Sequence, residues 1–140
     1  MTNKAAAIRY ARALFDVAGS EQHSLEEIET QLAAFADLFH EHPALQKVLI
    51  NPAVPVARKK AAVAEIATTL GLTPILTKLL ALLAERARLL LVPDLLSAYR
   101  ERLLDHQHVV RAEVTTAVPL SPERTREVEQ RLARMTGKTV

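Results

Sequence analysis

The chain changes its hydrophobic period once, near residue 109, and this change constrains the fold more than any other feature. Upstream, apolar residues recur every three or four positions, which is the spacing of α-helices. From Val109 to Leu120 they alternate instead, so that one face carries Val110, Ala112, Val114, Thr116 and Val118. Alternation predicts a β-strand. A helical pattern follows, and after Gly137 the pattern predicts that a second strand begins at Lys138-Thr139-Val140.

Signals at helix ends predict six helices before residue 106. Ser24 and Glu27 have the spacing of a capping box, and Gly71 is placed to end a helix. The expected limits are Lys4 to Val17, Ser24 to Pro43, Ala44 to Ile50, Pro55 to Gly71, Thr73 to about Ala87, and a sixth helix from Pro93. A further helix opens at Ser121-Pro122 and ends at Gly137.

The expected fold class is therefore mainly α. A six-helix N-terminal bundle is predicted over residues 1–105. Residues 106–140 are predicted to form the start of a small α+β C-terminal domain, an incomplete strand–helix–strand. Hydrophobic residues make up 49% of the chain and aromatic residues only 4%, so the core must be built from Leu, Ala, Val and Ile.

Charge gives little support to a nucleic-acid partner. The net charge is +2, and the whole excess lies after residue 107, where the chain has six basic and four acidic residues. A nucleic-acid-binding domain usually carries a dense basic face. Arg58-Lys59-Lys60 is interpreted as a solvated face of the fourth helix. A helical nucleic-acid-binding adaptor, using this run and the arginines of the last helix, remains the alternative function.

Catalytic and ligand-binding patterns are absent from the sequence. The His40/His42 and His106/His108 pairs lack a converging third ligand, and there is no cysteine to hold a metal. Thr136-Gly137-Lys138-Thr139 resembles the end of a phosphate-binding loop but follows a helix instead of preceding one. We therefore expect no enzyme, no catalytic, metal or cofactor-binding residues, no cofactor and no small-molecule substrate.

Two helices carry more apolar surface than one packing face requires. On the first helix this surface includes Tyr10, Ala13 and Val17, and on the fifth it includes Leu79 and Leu82. Side by side, such helices would form a groove for the amphipathic helix of a partner. Alternatively, both are central helices of the bundle. Periodicity alone leaves both interpretations open.

Five stretches in order resemble the delta subunit family of bacterial F-type ATP synthase, the counterpart of the mitochondrial oligomycin-sensitivity-conferring protein (OSCP). They are RYARALFDVA (9–18), LFHEHPALQKVLINPAVP (38–55), LLAERARLLLVPDLLSAYR (82–100), VVRAEVTTAVPLS (109–121) and TGKTV (136–140). The resemblance covers the whole chain. It implies a non-catalytic stator subunit that couples proton flow through the membrane sector to ATP synthesis.

The resemblance also implies partners and their sites. The N-terminal domain would hold the N-terminal helix of an alpha subunit of the catalytic head, between the first and fifth helices. The positions implied are Tyr10, Ala13, Leu14 and Val17, with Lys78, Leu79 and Leu82 opposite. The C-terminal domain would hold the b subunits of the peripheral stalk. The protein would be peripheral, at the cytoplasmic face of the bacterial cell membrane, and associated with the membrane only through the complex.

Members of this family continue for a few tens of residues beyond the segment that matches residues 136–140. The resemblance therefore suggests a chain truncated at its C-terminus. On this expectation stalk binding is in doubt, whereas head binding is not.

Overall fold

A computed structural model describes residues 2–140, and helices dominate them. The seven α-helices of this described part are α1 (Thr2–Ser20), α2 (Leu25–Glu41), α3 (Pro43–Ile50), α4 (Val56–Leu70), α5 (Pro74–Glu85), α6 (Val92–His106) and α7 (Pro122–Thr136). A short 3-10 helix, Leu89–Leu91, precedes α6. The prediction of a mainly α fold is confirmed.

Most helix ends lie where local signals placed them. The Ser24 hydroxyl accepts a hydrogen bond from the amide of Glu27 at 3.2 Å, so it caps α2. Gly71 and Gly137 end α4 and α7 in the left-handed conformation, with φ of 66° and 68°, which glycine adopts without strain. The fifth helix ends earlier than expected, at Glu85, because the chain turns through Ala87 at a φ of 54°.

The chain divides into two compact units, one extending to Arg100 and the other comprising Glu101–Val140. The division falls inside α6, so this helix contributes residues to both units. Six α-helices do occupy residues 2–106, but a self-contained six-helix bundle is not confirmed, because the sixth is shared. A domain boundary after residue 105 stays a prediction.

Tyr99 organises the core of the first unit. Its side chain is fully buried, its ring lies 5.9 Å from that of Phe15, and its hydroxyl donates to the carbonyl of Leu25 at 2.7 Å. It thereby ties α6 to α1 and to the start of α2. The remaining core is mostly aliphatic, as the composition predicts, with fully buried side chains at Ile28, Leu32, Leu49, Leu76, Leu80 and Leu83.

The predicted strand–helix–strand is not confirmed. Between Val109 and Leu120, which we refer to as the 109–120 segment, the described chain has one bridge residue, Val109, and a bend at Ala117 and Val118, but no strand. A single parallel bridge joins Val109 to Thr139, through bonds from the amide of Val110 to the carbonyl of Thr139 and from the amide of Thr139 to the carbonyl of His108. A strand requires a continuing ladder of such bonds. Within the described residues, the 109–120 segment forms no further bridge.

Candidate functional site

An apolar groove lies between α1 and α5. The two helices pack against each other and leave a shallow cavity of about 140 Å³ on their outer side. Its lining side chains are all apolar: Ala13, Leu14, Val17, Ile75 and Leu79. We refer to this feature, defined by these five residues, as the α1–α5 groove.

Helical spacing accounts for the shape of the α1–α5 groove. Ala13 and Val17 are four residues apart on α1, and Ile75 and Leu79 are four apart on α5, so each pair shares one helix face. Leu14 is almost fully buried and forms the floor, whereas Val17 remains 43% exposed. The small side chain of Ala13 keeps the space between the helices open, which close approach of a further helix requires.

The structure brings together four of the seven side chains that the family resemblance implies. Ala13, Leu14, Val17 and Leu79 line the groove, whereas Tyr10, Lys78 and Leu82 are not among its lining residues. Leu82 follows Leu79 by one turn and is 36% exposed. Lys78 is exposed beside Leu79.

Tyr10 bonds to the turn that follows α5. It is half-buried, and its hydroxyl accepts a hydrogen bond from the guanidinium of Arg88 at 3.0 Å. This bond ties α1 to the turn that follows α5. Sequence reasoning did not place Ile75 in the site. Its spacing of four residues from Leu79 is the signal that could have found it.

The chemistry of the α1–α5 groove suits binding and not catalysis. No ionisable side chain lines it. Among the described residues, no three His, Cys, Asp or Glu side chains come together as a metal site would require. The groove offers apolar surface between a row of side chains on α1 and a row on α5, and such a surface suits one face of an amphipathic helix. Lys78 adds a positive charge close to this surface.

A second surface, with both apolar and polar side chains, lies in the unit Glu101–Val140. An open cavity of about 540 Å³ lies between the 109–120 segment and α7. The segment contributes the alternate residues Val110, Ala112, Val114 and Thr116 and also Arg111, and α7 contributes Val128 and Leu132 together with the polar Thr125 and Glu129. We refer to this cavity as the α7 groove. Val118 belongs to the same predicted face but is 70% exposed and is not among the lining residues.

The basic run Arg58-Lys59-Lys60 on α4 is not a uniformly solvated face. The prediction of a solvated face is therefore wrong for its middle residue, Lys59. Lys59 is only 3% exposed, so its side chain is buried in the described structure. Lys60 forms an ion pair with Glu85, at 3.4 Å between Nζ and Oε2. Arg58 alone remains exposed and without an ion pair in the described structure. A single such cation does not form the dense basic stripe that nucleic-acid binding needs.

Within residues 2–140, no helix is both long enough and apolar enough to cross a membrane.

Comparisons with known proteins identify relatives along nearly the whole chain. The sequence model of a family described as "ATP synthase delta (OSCP) subunit" matches residues 6–140. ATP synthase subunit delta of Fuscovulum blasticum is 36% identical over 132 residues, which are 94% of this chain and 70% of the relative. The subunit delta of Geobacter sp. (strain M21) is 33% identical over 140 residues, which are 100% of this chain and 77% of the relative. That of Syntrophus aciditrophicus (strain SB) is 35% identical over 138 residues.

Proposed function

Because the chain belongs to the ATP synthase delta (OSCP) subunit family, we propose that it links the catalytic head of an F-type ATP synthase to the b-subunit stalk. The family is a structural, non-catalytic subunit of the peripheral stalk, in a membrane-associated complex. The link holds the head against the torque of the turning rotor, so that proton flow drives ATP synthesis. We place this link at the cytoplasmic face of a bacterial membrane.

The α1–α5 groove is the proposed contact with the head. It would receive the N-terminal helix of an alpha subunit, whose apolar side chains would insert between Val17 on one wall and Leu79 on the other. The observation that supports this assignment is the groove itself: two neighbouring helices direct partly exposed apolar side chains into one shared furrow. Tyr10 and Leu82 would extend the contact beyond the furrow, and Lys78 would meet an acidic residue of the partner.

A stator contact must dissociate slowly, and an apolar groove suits that requirement. Affinity among related complexes is adjusted mainly through the dissociation rate, and well-packed apolar contacts at the centre of an interface slow it most. A charge at the centre of such an interface has the opposite effect, because it is buried without a partner. Ala13 lies at this centre, and it is small enough to be replaced without removing core packing.

The α7 groove is the proposed contact with the b subunits. We assign it to a C-terminal domain of residues 106–140, distinct from a helical head-binding domain of residues 1–105. Val110 and Val128 would present apolar surface to the stalk, and the 109–120 segment would complete its α+β pairing in the assembled subunit. Support comes from the described unit itself, in which α7 has no buried residue although Val128 and Leu132 face the cavity.

Binding of a peptide with the sequence of the cognate alpha-subunit N-terminus tests the head contact. Ala13→Asp buries a carboxylate at the centre of the interface, and losses at such positions are about 2–4 kcal/mol. The affinity should therefore fall roughly 30- to 1000-fold by isothermal titration calorimetry. Circular dichroism should show an unchanged helix content.

Ala5→Asp is the matched control. Ala5 is exposed on the same helix, on the side away from the α1–α5 groove. The same carboxylate there should leave peptide affinity unchanged. Equal affinities of the two variants would show that the groove is not the binding site.

A further inference from the structure

Arg88 is held in position at one end of the α1–α5 groove. Its guanidinium donates a hydrogen bond to the hydroxyl of Tyr10 at 3.0 Å. Tyr10 precedes Ala13 by three residues on α1, so it lies about one turn beyond the groove on the same side of that helix. Arg88 follows Glu85, the last residue of α5, by three residues. The bond therefore lies where the N-terminal half of α1 meets the C-terminal end of α5.

The backbone of the turn after α5 also fixes the direction of Arg88. The amide of Arg88 donates to the carbonyl of Leu83 at 2.7 Å, and the amide of Ala87 donates to the carbonyl of Ala84 at 3.2 Å. Together these two bonds form a Schellman motif, whose left-handed residue is Ala87, at a φ of 54°. Leu89 is only 2% exposed, so the chain is anchored in the core directly after Arg88.

The guanidinium of Arg88 keeps most of its hydrogen-bonding capacity for another group. An arginine side chain has five N–H donors, and Arg88 forms one side-chain hydrogen bond, to Tyr10, within the described residues. Arg88 and Arg86 are both exposed, and neither forms an ion pair in that part of the chain. The neighbouring carboxylate, Glu85, already pairs with Lys60 at 3.4 Å. This end of the α1–α5 groove therefore presents positive charge that no acidic side chain neutralises.

We propose that Arg88 sets the register of the helix that binds the α1–α5 groove, by pairing with a carboxylate of that helix. This pairing rests on the proposed head contact and specifies the chemistry of one partner residue. Apolar side chains alone allow a bound helix to shift along the groove by a turn, whereas a fixed guanidinium binds a carboxylate at one place. Tyr10 is a positioning residue, because its hydroxyl holds the guanidinium before the partner binds and so reduces the entropy lost on binding.

Isothermal titration calorimetry with the cognate alpha-subunit N-terminal peptide tests this pairing. Arg88→Gln should weaken binding about fivefold, which is the upper range for a charge pair at the edge of an interface and suits a side chain already held in place. A set of peptides, each with one Asp or Glu replaced by its amide, identifies the carboxylate. One of them should bind the original chain about fivefold more weakly than the unaltered peptide does, yet bind Arg88→Gln as well as the unaltered peptide does.

Tyr10→Phe separates the positioning role from simple apolar contact. The variant keeps the aromatic ring but cannot accept the hydrogen bond from Arg88, so binding should weaken about two- to threefold. A ring that served only as apolar surface would leave the affinity unchanged or raise it. The loss should disappear with the amide peptide that lacks the paired carboxylate, because the guanidinium then has nothing to position.

Arg86→Gln is the matched control, since Arg86 is an exposed cation of the same turn whose side chain forms no hydrogen bond within the described residues. This variant should change the affinity by less than about twofold. Equal losses from Arg86→Gln and Arg88→Gln would overturn the proposal, as would a peptide series in which no carboxylate is coupled to Arg88. An original chain that does not bind the unaltered peptide would instead refute the head contact itself, and the pairing with it.

Discussion

Replacing Tyr99 with Phe removes one hydroxyl from the core and little else. The ring keeps its packing against Phe15, but the 2.7 Å hydrogen bond to the carbonyl of Leu25 is lost. A buried hydrogen bond of this kind contributes about 1–2 kcal/mol. For a unit of this size, each kcal/mol corresponds to about 4–8 °C in melting temperature. Urea and thermal unfolding followed by circular dichroism should therefore show a less stable variant at neutral pH.

The effect of Tyr99→Phe on the free energy of unfolding depends on pH, in a direction that follows from the pKa of Tyr99. Burial, and then the nearby carboxylates of Glu26 and Glu29, raise the pKa of Tyr99 far above its ordinary value of 10.0. Above pH 10.0, Tyr99 loses its phenolic proton in the unfolded chain but retains it in the folded chain. The stability that Tyr99 contributes is therefore complete below pH 10.0 and is lost above it, by up to about 1.4 kcal/mol per pH unit.

The difference in unfolding free energy between the original chain and Tyr99→Phe should therefore shrink as the pH rises above 10. Comparison of the two proteins cancels the titration of the other groups, Tyr10 included. A difference that stays constant or widens in this range would contradict the reasoning, as would equal stability at neutral pH. In the first case burial would not set the pKa of Tyr99, and in the second the bond to Leu25 would carry no net energy.

Two further substitutions test local features of the fold. Gln31→Ala removes the side-chain oxygen that accepts a hydrogen bond from the amide of Thr73 at 2.8 Å. Because that partly buried amide is then left without a partner, the free energy of unfolding in urea should fall by about 1–3 kcal/mol. An unchanged unfolding midpoint would refute this prediction. Gly71→Ala places a side chain at a φ of 66° with open space around it, so only backbone strain acts. Thermal unfolding should show that the free energy of unfolding falls by about 1–2 kcal/mol. A stabilised variant would contradict this prediction.

The sequence predicts most of the helical part because the signals there are local. The Ser24 cap, Gly71 and Gly137 act within a few residues of themselves, and each ends or begins a helix as expected. The strand prediction depends on distant partners. Val110, Ala112 and Val114 of its alternating face do line the α7 groove, but so does Arg111 from the other face. Its ladder does not form, since within the described residues the backbone bonds across this segment join it to Thr139 alone.

The α1–α5 groove can be predicted only in part from the sequence, because the contacts between its two helices are not local. Periodicity places Ala13 and Val17 on one face of α1, but it does not show which side chains of α5 complete the groove. Ile75 completes it, and Tyr10 instead bonds to Arg88. The burial of Lys59 was equally hidden, since a charged side chain within a basic run gives no sign that it is buried.

Disulfide trapping in the assembled ATP synthase tests the central claim most directly. The chain has no cysteine, so one introduced thiol is unique within it. With a cysteine introduced into the alpha-subunit N-terminal helix, Ala13→Cys should form a cross-link under mild oxidation, whereas Ala5→Cys should not. A cross-link that forms equally from both positions, or only from Ala5→Cys, would contradict the placement of the head contact in the α1–α5 groove.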